Sequence, residues 1–393
     1  MVEVRAKNIL ALLAALGFST AAEAGGFARG TADTDILYEA GTFAARAGAT
    51  VIVPNRKFDT NSNPALIGVN PFQSYVVPSA AVKYQLVPNF SCAGTYTHGF
   101  GAAGDWRGGG GTVTGKLTEE FLVHEFGLTC GANIELGNGK LWLLGGAFVD
   151  HFDYERTGVV RGALLPALNG LPTLLELDGT DVGYRIGVAY EMPEIALRTQ
   201  LMYRSGTSFG ATGNLTAPMA ALGLGLSGSP ATVGTIGVGR LPQSVEFKAQ
   251  TGIAPGWLGF GSIKWTDWSA VETLDVFGPT GAIVSRNEYY WRDGWTVAGG
   301  IGHAFTDRIS GSLSVQWDRG VSTGYDLMGD TYTVAAGGSF KDDWGGEFRM
   351  GLGLSYLSSS QETAYPTAYY PAGNASVDSG WAVSFGGSYK LTW

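Results

Sequence analysis

Residues 381–393 read WAVSFGGSYKLTW. Every second residue (Trp381, Val383, Phe385, Gly387, Tyr389, Leu391, Trp393) builds one largely apolar face, while Ala382, Ser384, Gly386, Ser388, Lys390 and Thr392 build a small and polar one. Successive side chains of a strand point to opposite sides, so the stretch predicts a two-faced β-strand. The same logic recurs upstream. In LTEEFLVHEFGLTCGANI (117–134), Leu122, His124, Phe126, Leu128, Cys130 and Ala132 oppose Glu119, Glu125 and Thr129; in TDVGYRIGVAYEM (180–192), Val182, Tyr184, Ile186, Val188 and Tyr190 oppose Asp181 and Arg185. Period two dominates and the helical period is nearly silent.

A soluble β-sandwich also alternates, so other features must decide. The predicted strands run about 10 to 16 residues, where ordinary strands cluster near 5 or 6; tilted membrane strands need about 9–11 residues in the apolar band. Aromatic residues gather near strand ends, among them Tyr96, Trp142, Tyr190, Trp268, Tyr289, Trp291, Trp295 and Trp393, as in the interfacial girdles of a transmembrane barrel. Some turns are short, such as Gly137-Asn138-Gly139 and Phe305-Thr306-Asp307, and others are long and glycine-rich. In hydrocarbon each unpaired backbone group costs several kcal/mol, so a sheet must close on itself, and the last strand has to pair with the first. Fifteen stretches read as strands; bacterial barrels have even counts, and 281–305 holds one strand too many. The expected fold is therefore all-β, a transmembrane antiparallel barrel of about 14 strands.

Composition agrees. The 393 residues include 61 Gly and only 15% charged residues, against about 25% in a soluble domain. The net charge of -9 is scattered, leaving no basic footprint for nucleic acid. Arg5 and Lys7 precede the apolar run 9–18, and Ala22-Glu23-Ala24 follows, which predicts a secretory signal peptide over 1–24. Residues 25–45 are small and mixed in character, a tail or a plug, and 46–393 form the barrel.

Two long connections, 157–178 and 207–240, are greasier than solvent-facing loops should be, with Leu164, Leu165, Leu168, Leu171 and Leu174 in the first and Met219, Leu222 and Leu224 in the second. Loops this long are functional or disordered, and these are too apolar for disorder. Arg156 and Arg161 border the first of them. Arg185, Arg198 and Arg204 fall on inferred lumen positions, where they either hold an anionic substrate group or pair with lumen acids such as Asp181 or Glu246. Cys92 and Cys130 face each other if 90–99 and 117–134 form a hairpin centred on Gly111, both on the lipid-facing parity, and export permits a disulfide there.

No catalytic or metal motif stands out. His98, His124, His151 and His303 are dispersed, without HExxH or CxxC spacing, and GGGGTVTG (108–115) lacks the Lys-Ser/Thr ending of a phosphate loop. No enzyme activity, cofactor or metal is expected.

The combination of an export signal followed by Gly25-Gly26-Phe27, RLPQS (240–244) opening a strand, KWTDWS (264–269) closing the next and an aromatic C-terminus resembles the outer-membrane long-chain fatty acid transporter family, FadL/TodX type, most clearly over 77–134 and 240–320. The resemblance implies a fourteen-stranded barrel in a Gram-negative outer membrane, with an N-terminal hatch folded inside. It implies passive uptake of hydrophobic molecules, above all long-chain fatty acids, captured between two extracellular loops, held in an interior pocket and released sideways through the wall. It places the capture groove at 157–178 and 207–240, and the carboxylate site near Glu155-Arg156. The chain departs from the family at the hatch: LYEAGTF (37–43) stands where Asn-Pro-Ala is usual, and Asn63-Pro64-Ala65 follows the first strand, so the motif's role is not carried over. The implied partners are hydrophobic small molecules, outer-membrane lipids and the barrel assembly machinery, which would read Trp393; nothing in the sequence asks for more than a monomer. A general aqueous porin and a structural or adhesive barrel are the alternatives.

Overall fold

The computed structural model describes residues 25–162, 166–367 and 374–393. The expected signal peptide, 1–24, lies outside the described residues, as do Leu164 and Leu165.

Fourteen strands close into one antiparallel ring: β1 Phe43–Asn55, β2 Tyr75–Val87, β3 Phe90–Asp105, β4 Lys116–Leu136, β5 Gly139–Val159, β6 Pro172–Met192, β7 Leu197–Arg204, β8 Ser244–Ala254, β9 Trp257–Thr266, β10 Gly294–Ala304, β11 Ile309–Asp318, β12 Thr331–Lys341, β13 Gly346–Leu357 and β14 Gly380–Thr392. Each pairs with its chain neighbours, and β1 pairs with β14 from Ala44↔Thr392 to Asn55↔Trp381, which closes the ring. The ring of fourteen strands thus has neither a first nor a last strand left without a neighbour, as hydrocarbon requires.

Burial runs inside out. In β14, Val383 and Phe385 are half exposed (50% and 52%), while Ser384 between them and Lys390 further along are 2% and 6% exposed. Leu128, Leu143, Val182, Ile186, Leu313 and Leu352 likewise face outward. The buried set is rich in Thr95, Thr97, Glu125, Thr129, Asp150 and Arg185 instead. An apolar outer band around a polar interior is the membrane-barrel pattern. Not every strand-end aromatic joins the outer girdle, however. Trp268 and Trp291 are 1% and 4% exposed, and Trp142 is buried against Tyr38 with ring centroids 5.3 Å apart; these rings face the interior.

The stretch 281–291 is no wall strand: Ile283–Glu288 pairs with Thr273–Phe277 in a hairpin outside the ring. The stretch 207–240 is not a free loop either. Thr207–Pro218 pairs with Pro230–Leu241 along its length and with Leu174–Asp178 of β6, so the wall continues beyond the membrane on this side. In Thr207–Pro218, Thr207, Phe209 and Ala211 are buried while Ser208, Gly210 and Thr212 are exposed, an alternation that small residues disguise in sequence. Similarly β6 starts at Pro172 rather than near 179, with Leu175 and Leu177 buried beside exposed Glu176 and Asp178.

The segment 25–42 lies inside the ring, against inward-facing residues of many strands. A 3-10 turn, Thr34–Tyr38, buries Ile36 and Leu37 completely. The segment's far end is held by charge: Arg46 on β1 reaches Asp33 (2.7 Å) and Glu39 (2.5 Å), and Lys390 on β14 reaches Glu39 (2.8 Å) and Glu347 (3.0 Å). Lys83 on β2 donates to the carbonyls of Glu39 and Gly41. In mid-segment, Tyr38 Oη donates to Gln200 Oε1 at 2.7 Å.

One stretch of wall is interrupted. The β2–β3 ladder rises from Val87↔Phe90 to Ser79↔Thr97 and stops. Above it the inner segment takes the place of β2: Ala28 bridges Phe100, Arg29 N donates to Gly99 O (3.0 Å) and Gly101 N donates to Phe27 O (2.9 Å). There β3 carries a bulge, with Gly99 extra between His98 and Phe100, and bulges recur where a strand must bend or stop pairing. A side chain on Gly101 would meet Arg29 Nε at 2.8 Å. Asn63 caps the turn Pro64–Leu66 and donates to the carbonyls of Gly109 and Gly111, binding two extracellular connections together.

Candidate functional site

A cavity of about 640 Å³ opens at the extracellular end, between β4, β5, the hairpin 273–288 and the connections 58–72 and 325–328. Its floor is aromatic. Phe27 of the inner segment sits edge-on to Phe121 (4.6 Å between centroids), Trp291 (4.5 Å), Tyr289 (5.2 Å) and Trp268 (6.2 Å). Edge-to-face packing suits the ring quadrupole, and through it Phe27 joins the inner segment to the cavity lining. Gly26, with φ +56°, lies so near the Trp268 ring that a Cβ would stand 2.7 Å from it.

Charged groups ring the cavity, most of them already engaged. Glu119 accepts from Lys116, from Tyr154 Oη (2.6 Å) and from Asn287 Nδ2 (2.6 Å). Arg286 is held by Asp275 at 2.5 Å. Asp326, in the connection 319–330, accepts from Trp291 Nε1 and Met328 N, and burial pushes its carboxyl above the ordinary range despite those bonds. Arg156 stands opposite Glu119 in the β4–β5 ladder and acts on that carboxylate through space, while its Nη1 donates to the neutral Ser285 hydroxyl at 2.6 Å. It is an inward-facing, half-buried cation on an aromatic cavity.

The other sequence-derived candidates scatter. Arg185 and Arg204 lie lower, beside a small cavity of about 60 Å³, and each is paired: Arg185 with Glu125 (2.5 Å), Arg204 with Glu125 (2.8 Å) and Asp150 (2.8 Å). Their partners are Glu125 and Asp150, not Asp181 or Glu246, and Phe148 lies under both guanidinium groups. Arg198 stacks over Tyr38 at 4.5 Å. Arg161 donates to Gly110 O. Leu168 is buried, and a Cβ on Gly228 would lie 3.1 Å from Leu171 and 3.7 Å from Leu168, so the tips of the two extracellular hairpins touch. Leu174 sits in the ladder opposite Thr216. Met219 and Leu222 belong to the turn at the second tip, and Leu224 is exposed there. Cys92 and Cys130 are joined by a disulfide across β3 and β4. Of the residues that build the cavity floor, Phe121 and Tyr154 carry no signal in the sequence, Phe27 enters it only within Gly25-Gly26-Phe27, and Trp291 reads as a girdle aromatic in the region 281–305 where the strand count is odd.

A closed barrel with an apolar outer band and a filled interior is a channel-type barrel of the outer membrane. Residues 122–363 match the family model described as outer membrane protein transport protein (OMPP1/FadL/TodX), and the chain belongs to that family. Among solved structures it is similar to a FadL homologue of Pseudomonas aeruginosa (TM-score 0.72, 13% identity, covering 94% of this chain and 96% of that one). It is also similar to the toluene transporter TodX of Pseudomonas putida (0.59, 14%, 96% and 98%) and the toluene transporter TbuX of Ralstonia pickettii (0.59, 12%, 90% and 90%). No curated protein sequence matches.

Proposed function

We propose that the protein is a passive channel for hydrophobic molecules bearing a carboxylate, long-chain fatty acids first among them. The observation that carries this reading is Arg156: a cation on an aromatic cavity, with a neutral hydroxyl as hydrogen-bond partner. A carboxylate leaving water needs such a partner, and charge-assisted hydrogen bonds to a guanidinium are strong and directional. The touching hairpin tips, with exposed Leu224 and Leu226, supply an apolar landing surface. From the cavity the cargo passes Phe27, and the interrupted wall at Gly99 offers a way sideways into the membrane. Phe27 above and the paired arginines below weigh against an aqueous porin.

A second reading, uptake of aromatic hydrocarbons, is favoured by the aromatic floor and by the likeness to two toluene transporters. Binding to purified protein separates the two. Arg156→Ala should weaken binding of a long-chain fatty acid about 10- to 100-fold, the equivalent of one charge-assisted hydrogen bond, and leave toluene binding unchanged. Tight toluene binding with none of the fatty acid would sink the first reading, and large steady ionic steps in a planar bilayer would return the protein to the general porins.

A further inference from the structure

Three histidines that lie far apart in sequence share one level on the outer wall. The register pairs His98 with His124 and His124 with His151, across β3, β4 and β5; their rings stand 4.8 and 6.4 Å apart. Below them on the same outward parity come Phe126 and Leu128; above them is exposed Glu120. The row therefore marks the extracellular edge of the apolar band, where water and ions have access.

Asp153 stands between two of these imidazoles. His124 Nε2 is 3.6 Å from Oδ2, and His151 Nε2 is 3.4 Å from Oδ1. These separations are long for hydrogen bonds; each is near the ~3.3–3.5 Å between two donors of one tetrahedral ion, with the two imidazoles facing different oxygens of the carboxylate. The far nitrogens of both rings are tied to oxygen: His124 Nδ1 to Tyr96 Oη at 2.9 Å, His151 Nδ1 to Thr180 Oγ1 at 3.1 Å. An Nδ1–H donated to an oxygen leaves the Nε2 lone pair free to bind, which is how metal-ligating histidines are oriented. The protons can be placed consistently. His124 Nδ1–H donates to Tyr96, Tyr96 O–H donates to His98 Nε2, and His98 Nδ1–H donates to Val76 O.

We propose that His124, His151 and Asp153 bind one divalent transition-metal ion, of the zinc class, on the outer wall of the barrel. Two imidazoles and a carboxylate select such ions over magnesium or calcium. Three protein ligands leave a fourth position for water, and the ion would staple β4 to β5 one strand away from the bulge at Gly99. Among the described residues no three donors stand preformed as a metal centre. Binding requires these exposed side chains, 27%, 40% and 50% accessible, to shift toward one another with both Nδ1 tethers kept.

The test is zinc titration by calorimetry on tag-free, chelator-stripped protein in detergent, with each variant first checked for the heat-modifiable gel migration of a folded barrel. The expected result is saturable binding of one ion per chain, weakened at least tenfold by His124→Ala, His151→Ala or Asp153→Asn. Tyr96→Phe should weaken it by about 10-fold or more, as loss of an outer-shell partner does, and His303→Ala, at the far end of the wall, should leave it unchanged. Zinc-edge absorption on the wild type should report two imidazoles, which decides the matter even if a variant fails to fold. Absence of one-to-one binding, an Asp153→Asn protein that binds as the wild type does, or a spectrum without imidazole overturns the proposal and leaves the row as two histidines clamping an aspartate.

Discussion

Phe27 carries more of the architecture than its position in a small, mixed N-terminal stretch suggests. Its ring touches four aromatic neighbours, each contact contributing about 0.5–1.5 kcal/mol beyond burial, and it lines the extracellular cavity. Phe27→Ala should leave the barrel folded but open the floor, read as a rise in ion conductance in planar bilayers; unchanged conductance would show that something else closes the path. In the sequence this residue stands out only within Gly25-Gly26-Phe27 after the export signal, with nothing to mark the four rings as its partners. Its partners Trp268, Tyr289 and Trp291 look like girdle aromatics because pattern alone does not say which side of the wall a ring faces once a strand gives way to a turn. Arg185 and Arg204 were legible as interior residues from parity alone, but their partners Glu125 and Asp150 lie on other strands, and pairing across a lumen leaves no mark in the local sequence.

At the scale of elements, the inner segment is held at its far end by a charge cluster. Burial works against ionisation of Glu39, yet Lys390, Arg46 and Arg349 together outweigh it and hold its carboxyl below the ordinary range. A depressed carboxyl contributes stability that is full above its free value, about pH 4.3, and is lost as pH falls below that. The anchored state should therefore persist through neutral and mildly acidic conditions. Protease cleavage within 25–42 should begin only under acidification below about pH 4. Glu39→Gln, which gives up charge-assisted bonds worth roughly 1.5–3 kcal/mol each, should show the same cleavage at pH 7; equal resistance in both proteins would mean that the apolar contacts of Ile36 and Leu37 hold the segment alone. The strands themselves were legible wherever large apolar residues alternate, as in β4 and β14. They were missed where alternation is carried by Thr, Gly and Ala, as in 207–218, because such residues give hydropathy no contrast. Registers were legible only where a pair such as Cys92 and Cys130 suggested one, which is why the histidine row stayed hidden.

The whole molecule is a ring whose outer surface answers to lipid. Leu128, 58% exposed in mid-wall between Phe126 and Ile134, would face the hydrocarbon. Leu128→Arg should lower the folding free energy into vesicles by about 2–4 kcal/mol, the cost of a guanidinium near the bilayer midplane, measured by denaturant titration; a change within error would mean that this face is not in lipid. The fold as a whole was readable because closure, strand length and two-sided alternation follow from the solvent the chain must satisfy, whereas the cavity depends on which connections fold back over the mouth. The pairing of β1 with β14 has a topological consequence. The inner segment runs directly into the first residue of β1, where Phe43 and Trp393 exchange backbone hydrogen bonds, so the foot of the seam between first and last strands, at the end away from the cavity, fixes the point at which that segment turns into the lumen.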